Sequence, residues 1–178
     1  DVLDSGYLTE GPVTRAFENK LKEYLGCGYL HAVTSATTGL EVALRVLDIG
    51  PGDEVIVPDE TWVASANAIR YAGAIPIFAD VEIDSWNLDP LSIEAVITDR
   101  TKAIIVVHMY GGPARMDKIM EIAKRYSLKV VEDSAPAIGA KFDGKSCGTF
   151  GSFGAYSFQG AKLLVTGEGG MLVTDDEA

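Results

Sequence analysis

Short β-branched runs alternate along the chain with stretches whose apolar residues recur three and four positions apart. "HAVTS" at 31–35 reads as a strand, and Leu40, Leu44 and Leu47 in the following "TTGLEVALRVLDIG" mark one face of a helix. "EVIVP" (54–58) precedes the helical "TWVASANAIRYAG", and "AIPIFADV" (74–81) follows as the next strand. The same rhythm predicts "AIIVVHMYG" (103–111) as a strand, "MDKIMEIAKRYS" as a helix and "LKVVEDSA" (128–135) as a strand. Near the start, "GPVTRAFENKLKEYLG" carries its own helix signals. Pro12 suits the first turn, Phe17, Leu21 and Leu25 share a face, and Gly26 can end the helix. Such alternation predicts parallel βαβ crossovers, hence an α/β fold with a mostly parallel, doubly wound sheet. The strand runs are almost continuously apolar, which calls for helices on both faces.

After Gly139 the rhythm changes to short strands and glycine turns: "SFGAYSF", "LLVTG" and "GGMLVT". No internal repeat, low-complexity tract or linker interrupts the 178 residues, a length that suits one domain with a real core. The chain opens at "DVLDSG" without an initiator Met and stops at "TDDEA", where a helix is expected to begin. It reads as a piece of a longer chain.

Composition narrows the function classes. Hydrophobic content of 47% and charged content of 23% are ordinary globular usage. The net charge of −11, from 26 acidic and 15 basic residues, opposes binding to nucleic acid or to an anionic membrane. It leaves room for a small anion held by a local site. Apolar runs such as "AIIVV" fall far short of the roughly 18 residues of a membrane span, and no signal segment opens the chain, so a soluble, cytoplasmic protein is expected. Cys27 and Cys147 have no metal-type spacing and are expected to be small buried hydrophobes. His31 and His108 are too few for a histidine-based metal cluster.

In an open α/β sheet, ligands bind at the carboxyl ends of parallel strands. "VTSATTGLEVAL" turns from strand to helix through Ser35, Ala36, Thr37 and Thr38, where free N–H groups and the helix dipole can hold an anion. On its own the turn is equally a Thr N-cap of a core helix. "KVVEDSA" ends a strand with Glu132 and Asp133, which alternation sends to opposite faces, so one of them can face a ligand crevice. Trp62, at the start of a helix beside another strand end, could lie on a planar ligand or pack in the core. In "SFQGAKLLVTGEGG" a single lysine, Lys162, sits among Gly, Ala, Leu and Val, five residues after Ser157. A lysine stripped of water becomes a nucleophile toward carbonyls, while a snorkelling lysine at a strand edge is the plain alternative.

Taken together, an anion cradle, a flat aromatic, a lone acid and a nucleophilic lysine match the needs of pyridoxal 5′-phosphate (PLP). The cradle takes the phosphate, the aromatic stacks on the ring, the acid keeps the ring nitrogen protonated and the lysine holds the aldehyde as a Schiff base.

The segments "SGYLTEGPVTRAFE", "VTSATTGLEVAL", "GPGDEVIVPDETWVASANAI", "SWNLDP", "VHMYGGPARMDKI", "VVEDSAPAIGA" and "SFQGAKLLVTGEGGMLVTDDE" resemble, in this order, the sugar-nucleotide aminotransferases of the DegT/StrS group. The resemblance covers essentially the whole chain. It implies the large domain of a PLP-dependent transferase of the aspartate aminotransferase type (fold type I), spanning residues 1–178 and lacking the family's smaller C-terminal domain. By position it implies Lys162 as the Schiff-base lysine, Ser157 as a phosphate contact, and Ala36 and Thr37 as the phosphate turn. Trp62 then matches the stacking aromatic and Asp133 the partner of the pyridine nitrogen. Where many members have Gln three residues after that Asp, this chain has Pro136, which cannot make the same hydrogen bond. The implied reaction moves an amino group from glutamate to a nucleotide-linked keto sugar, with Lys162 as general base, in a homodimer whose "SGYLTEGP" segment lies near the site. A dehydratase subgroup has histidine where this chain has Lys162, which favours transamination. A non-catalytic relative or fragment that keeps the fold is the alternative, and the 178 residues alone are expected to bind PLP weakly and transaminate negligibly.

Overall fold

A computed structural model of the chain describes residues 2–7 and 9–177. Helices α1 (Val2–Ser5) and α2 (Pro12–Leu25) lead into strand β1 (Tyr29–Val33) and helix α3 (Ala36–Val46). Strand β2 (Glu54–Pro58), helix α4 (Ala64–Tyr71), strand β3 (Ile75–Ala79), helix α5 (Pro90–Val96) and strand β4 (Thr101–Val107) follow. A 3₁₀ turn at Met109–Gly111 precedes helix α6 (Met116–Tyr126) and strand β5 (Lys129–Asp133). The two-residue strands β6 (Lys141–Phe142) and β7 (Lys145–Ser146) form a hairpin, and β8 (Phe153–Ser157) and β9 (Gly170–Thr174) complete the chain.

Local chemistry accounts for the helix ends. Pro12 opens α2, and Gly26 closes it in the left-handed region (φ 72), where a Cβ would be strained, with its N–H returned to the Lys22 carbonyl. Asp89 caps α5 through the N–H of Leu91, with Pro90 as the first helical residue. At seven residues α5 is too short to show a helical period, and the sequence reading passed over it.

Seven strands form one sheet in the order β1-β9-β8-β5-β4-β2-β3. β9 is antiparallel to both its neighbours, and the other pairings are parallel, so six of the seven strands point the same way. Their carboxyl ends share one edge with the start of β9. Helices α3 and α4 bury Leu40, Leu44, Ala68 and Ile69 against Val55, Ile105 and Val131 on one face. The opposite face is covered by α5 and α6, through Ile93, Ile119 and Ile122, and by α2, through Leu21 and Leu25 beside Tyr156 and Phe158. The expected α/β architecture with helices on both faces is the one observed. Both cysteines are free and buried, as expected.

Four local expectations are corrected. The first strand is Tyr29–Val33 rather than 31–35, because Ser35 is drawn off as the cap of α3. The strand at 103–111 stops at Val107, since His108 onward is bent by a turn with Tyr110 at φ 51. "LLVTG" is not a strand: Leu163, Leu164 and Val165 are exposed, and the segment's bridge is the isolated pairing of Gln159 with Gly167. Trp62 lies ahead of α4 rather than within its first turn. The "SGYLTEGP" segment joins α1 to α2, exposed at its described positions apart from Gly11, and Leu8 lies outside the described residues.

Candidate cofactor site

Register alone gathers most of the expected residues. Val33 of β1 pairs with Gly170, and Gly170 pairs with Ser157 of β8. In the next strand Asp133 pairs with Ala155, two residues before Ser157 and on the same face. That face is the one α3 and α4 cover.

Helix α3 starts right behind β1. The Ser35 hydroxyl accepts the Thr38 N–H at 3.1 Å, and Gly39 N–H returns to the Ser35 carbonyl. The cap is therefore Ser35, not a threonine, and the bonds of the described residues leave the Ala36 and Thr37 N–H groups unclaimed at the positive end of the helix. Gly170 lets this turn descend onto the sheet: a Cβ there would lie 2.7 Å from Ala36 N and 2.7 Å from the Tyr156 carbonyl. Ser157 is buried at the end of β8, and its hydroxyl receives the Gln159 N–H at 3.4 Å.

Alternation separates the two acids of β5 into different layers. Glu132 enters the α6 side, where its oxygens accept the N–H groups of Gly148 (2.7 Å), Phe150 (2.6 Å) and Gly151 (2.7 Å) and bond His108 Nε2 at 2.9 Å. Ala114 donates to His108 Nδ1 at 3.1 Å. Burial disfavours charge on that ring and Cys147 and Glu132 together outweigh it, raising its pKa. Against this, the Ala114 N–H aimed at Nδ1 needs a lone pair there, and that geometry assigns the Nε2–H form. Glu132 thus pins the 148–151 loop and the turn after β4. It is no loop acid, and it is not free for a ligand.

Asp133 enters the α3/α4 side, with Oδ2 2.7 Å from the Ser65 hydroxyl and Oδ1 accepting the Ala135 N–H at 3.1 Å. Burial pushes its carboxyl above the usual range, against the Ser65 and Ala135 hydrogen bonds and the pull of Lys162. Lys162 follows β8, whose carboxyl end shares this edge of the sheet. It stands in a loop folded back on itself by Lys162 N–H to the Gln159 carbonyl and Thr166 N–H to the Phe158 carbonyl. Lys162 is half-buried, and the apolar neighbours expected to strip it of water are themselves exposed, with Leu163 82% accessible. Trp62 is 76% exposed rather than core-packed, and it is tied to the site through Ser65, whose N–H bonds the Trp62 carbonyl at 3.2 Å. Pro136 follows β5 half-buried and offers no side-chain donor.

Sequence reasoning missed Ser65 and the His108–Glu132 pair. "VASANAI" gave no sign that its serine reaches a strand 68 residues away. The donor set suits an anionic, cationic-ringed cofactor: N–H groups unclaimed among the described residues at the α3 turn, the Ser157 hydroxyl, the buried Asp133 carboxyl on the same face, and a half-buried lysine in the loop after β8.

The comparisons with known proteins agree. The model of the DegT/DnrJ/EryC1/StrS aminotransferase family matches residues 1–178. GDP-perosamine synthase of Escherichia coli O157:H7 is 47% identical over 178 residues, which are 99% of this chain and 49% of that protein. The spore coat polysaccharide biosynthesis protein SpsC of Bacillus subtilis (strain 168) is 42% identical over 177 residues, 99% of this chain and 46% of that protein. Among solved structures, the aminotransferase from Psychrobacter cryohalolentis superposes with a TM-score of 0.95 at 45% identity, covering 99% of this chain and 45% of that one. Spr1654 from Streptococcus pneumoniae, solved in its PLP form, gives 0.93 at 34% identity, covering 99% of this chain and 49% of that one. The chain spans about half the length of the relatives it matches. PLP is the cofactor of this fold. With the family's motifs in order and its model matching residues 1–178, the chain belongs to the DegT/DnrJ/EryC1/StrS aminotransferase family.

Proposed function

We propose that the protein is a PLP-dependent aminotransferase that transfers an amino group from glutamate to the keto group of a nucleotide-linked deoxysugar. One observation carries this reading: the Asp133 carboxyl, buried and held by Ser65, lies on the sheet face where α3 presents the Ala36 and Thr37 N–H groups. Bound PLP supplies an electron sink for the carbon next to the transferred nitrogen. Ala36 and Thr37 N–H groups and the Ser157 hydroxyl hold its phosphate, and the α3 dipole favours that charge. Trp62 is assigned to the ring face and excludes water from it. Asp133 keeps a proton on the ring nitrogen, and that cation in turn relieves the cost of a buried carboxylate. Lys162 would bond the cofactor's aldehyde carbon, and its free amine would move a proton as general base.

The reading extends to a cytoplasmic homodimer. Trp62, Tyr110 and Leu163, all exposed and all following strand carboxyl ends, support a partner covering this edge. Sedimentation of the full chain should give a dimer, and a monomer that binds cofactor and substrate would count against it. The Escherichia coli relative named for GDP-perosamine makes a GDP-linked keto-deoxyhexose the first acceptor to try. The test is amino transfer. Glutamate should convert the PLP-loaded protein to its aminated spectrum, and the keto-sugar nucleotide should reverse it with an amino sugar as product. An aminated spectrum that no keto-sugar nucleotide reverses would refute the acceptor class.

A further inference from the structure

Ser65 sits in the first turn of α4 and is 0% exposed. Its hydroxyl lies 2.7 Å from Asp133 Oδ2, 3.3 Å from the Thr61 hydroxyl and 3.4 Å from the Trp62 carbonyl. A serine hydroxyl has one proton to donate and lone pairs to accept with. The short contact to a carboxylate takes that proton, and Thr61 then donates to Ser65, which gives a chain Thr61–Ser65–Asp133. The helix itself does not require this hydroxyl, because Ser65 N–H already reaches the Trp62 carbonyl and the nearby Ala64, Ala68 and Ile69 are apolar. Asp133 Oδ1 is fixed separately by the Ala135 N–H at 3.1 Å. The carboxylate is thus gripped at both oxygens, once from its own turn and once from α4, and the α4 grip comes from the residue that anchors the Trp62 segment.

We infer that Ser65 is a positioning residue that fixes the orientation of the Asp133 carboxylate and couples it to the segment carrying Trp62. The catalytic consequence rests on the role proposed above for Asp133, whereas the coupling itself does not. The titratable groups that reach Asp133 are Lys162, from the loop after β8, and His108, from the end of β4. Against the larger effect of burial, the Ser65 bond favours the ionised carboxylate.

The experiment is a double-mutant cycle in the cofactor-free full chain, comparing wild type, Ser65→Ala, Asp133→Asn and the pair by thermal unfolding. In the wild-type background Ser65→Ala should lower Tm about twice as much at a pH above the Asp133 titration as at about pH 4, because a hydrogen bond to an ionised acceptor is about twice as strong. In the Asp133→Asn background the loss should be smaller and independent of pH. An equal loss at both pH values and in both backgrounds makes Ser65 a packing residue and overturns the inference. Should Ser65→Ala fail to fold, Thr61→Val probes the outer end of the chain, and its loss must likewise shrink when Asp133 is replaced. A second readout uses the PLP-loaded protein. Ser65→Ala should move the pH at which the visible cofactor band titrates and lower kcat more than it raises KM for glutamate. An unmoved titration contradicts the positioning role. Failure of the wild type to take up PLP would refute the functional reading instead and leave the cofactor-free cycle standing.

Discussion

Glu132 and Asp133 are adjacent acids of the same strand with opposite uses, and the difference is one of partners. Glu132 is saturated by three backbone N–H groups and a histidine. Asp133 has two donors and a buried setting that raises its pKa. The raised value has a definite sign in stability. In the window above the ordinary carboxylate range, the unfolded chain has released this proton and the folded one retains it, so stability falls as pH rises through the window. Asp133→Asn should therefore raise the Tm of the cofactor-free protein at about pH 8, with the gain fading toward about pH 4. The same variant should lose roughly a hundredfold or more in turnover, the scale of a lost proton-holding group. Thermal unfolding at the two pH values checks the first part, and a variant less stable than wild type at the higher pH contradicts it.

At the level of elements, the site depends on how closely α3 approaches the sheet. Gly170 is the point of contact, since an added Cβ would stand 2.6 Å from Ser35 C and 2.7 Å from Ala36 N. Gly170→Ala must push the helix start away or displace β9, at a cost of about 1–3 kcal/mol typical of overpacking. PLP affinity should fall at least about tenfold, because the two N–H groups act only in register with Ser157. Equilibrium titration with PLP measures this, and unchanged affinity in a folded variant would show that the α3 turn does not hold the phosphate. These elements were largely legible in the sequence. Leu40 and Leu44 declared α3, "EVIVP" declared β2, and alternation announced that the two acids would part. What was not legible depended on contacts between distant segments. The apolar "LLV" looked like a strand because nothing local reveals that no neighbour pairs with it. Ser65, His108 and the cap role of Ser35 are polar residues whose partners lie on other elements or across a turn, so periodicity carries no trace of them. Ala36, Thr37, Asp133 and Ser157 come to one edge because strand ends in a parallel sheet converge by topology.

Across the whole molecule, the two edges of the sheet are held differently. At the amino edge Glu54, at the start of β2, accepts the hydroxyl of Thr98 and the guanidinium of Arg100, which lead into β4. The Thr98 hydrogen bond lowers its pKa most, burial works against this, and Arg100 adds to the lowering. A depressed folded value contributes stability above the ordinary carboxylate range and loses it as pH falls through the depressed one. Glu54→Gln should therefore weaken the protein near neutrality and flatten its loss of stability between about pH 5 and about pH 3, as read by denaturant unfolding across that range. An acid limb as steep as that of wild type would place the acid sensitivity elsewhere. The carboxyl edge, by contrast, carries exposed aromatics, a buried acid, a half-buried lysine and, among the described residues, unclaimed N–H groups, which is the arrangement expected of a surface built for a ligand. That Lys162 bonds the cofactor is the central claim. Borohydride reduction of the PLP-loaded full chain, followed by peptide mapping, tests it most directly. The pyridoxyl group is expected on the peptide containing Lys162 and to be absent from a Lys162→Ala protein, whereas label on any other lysine would contradict the account.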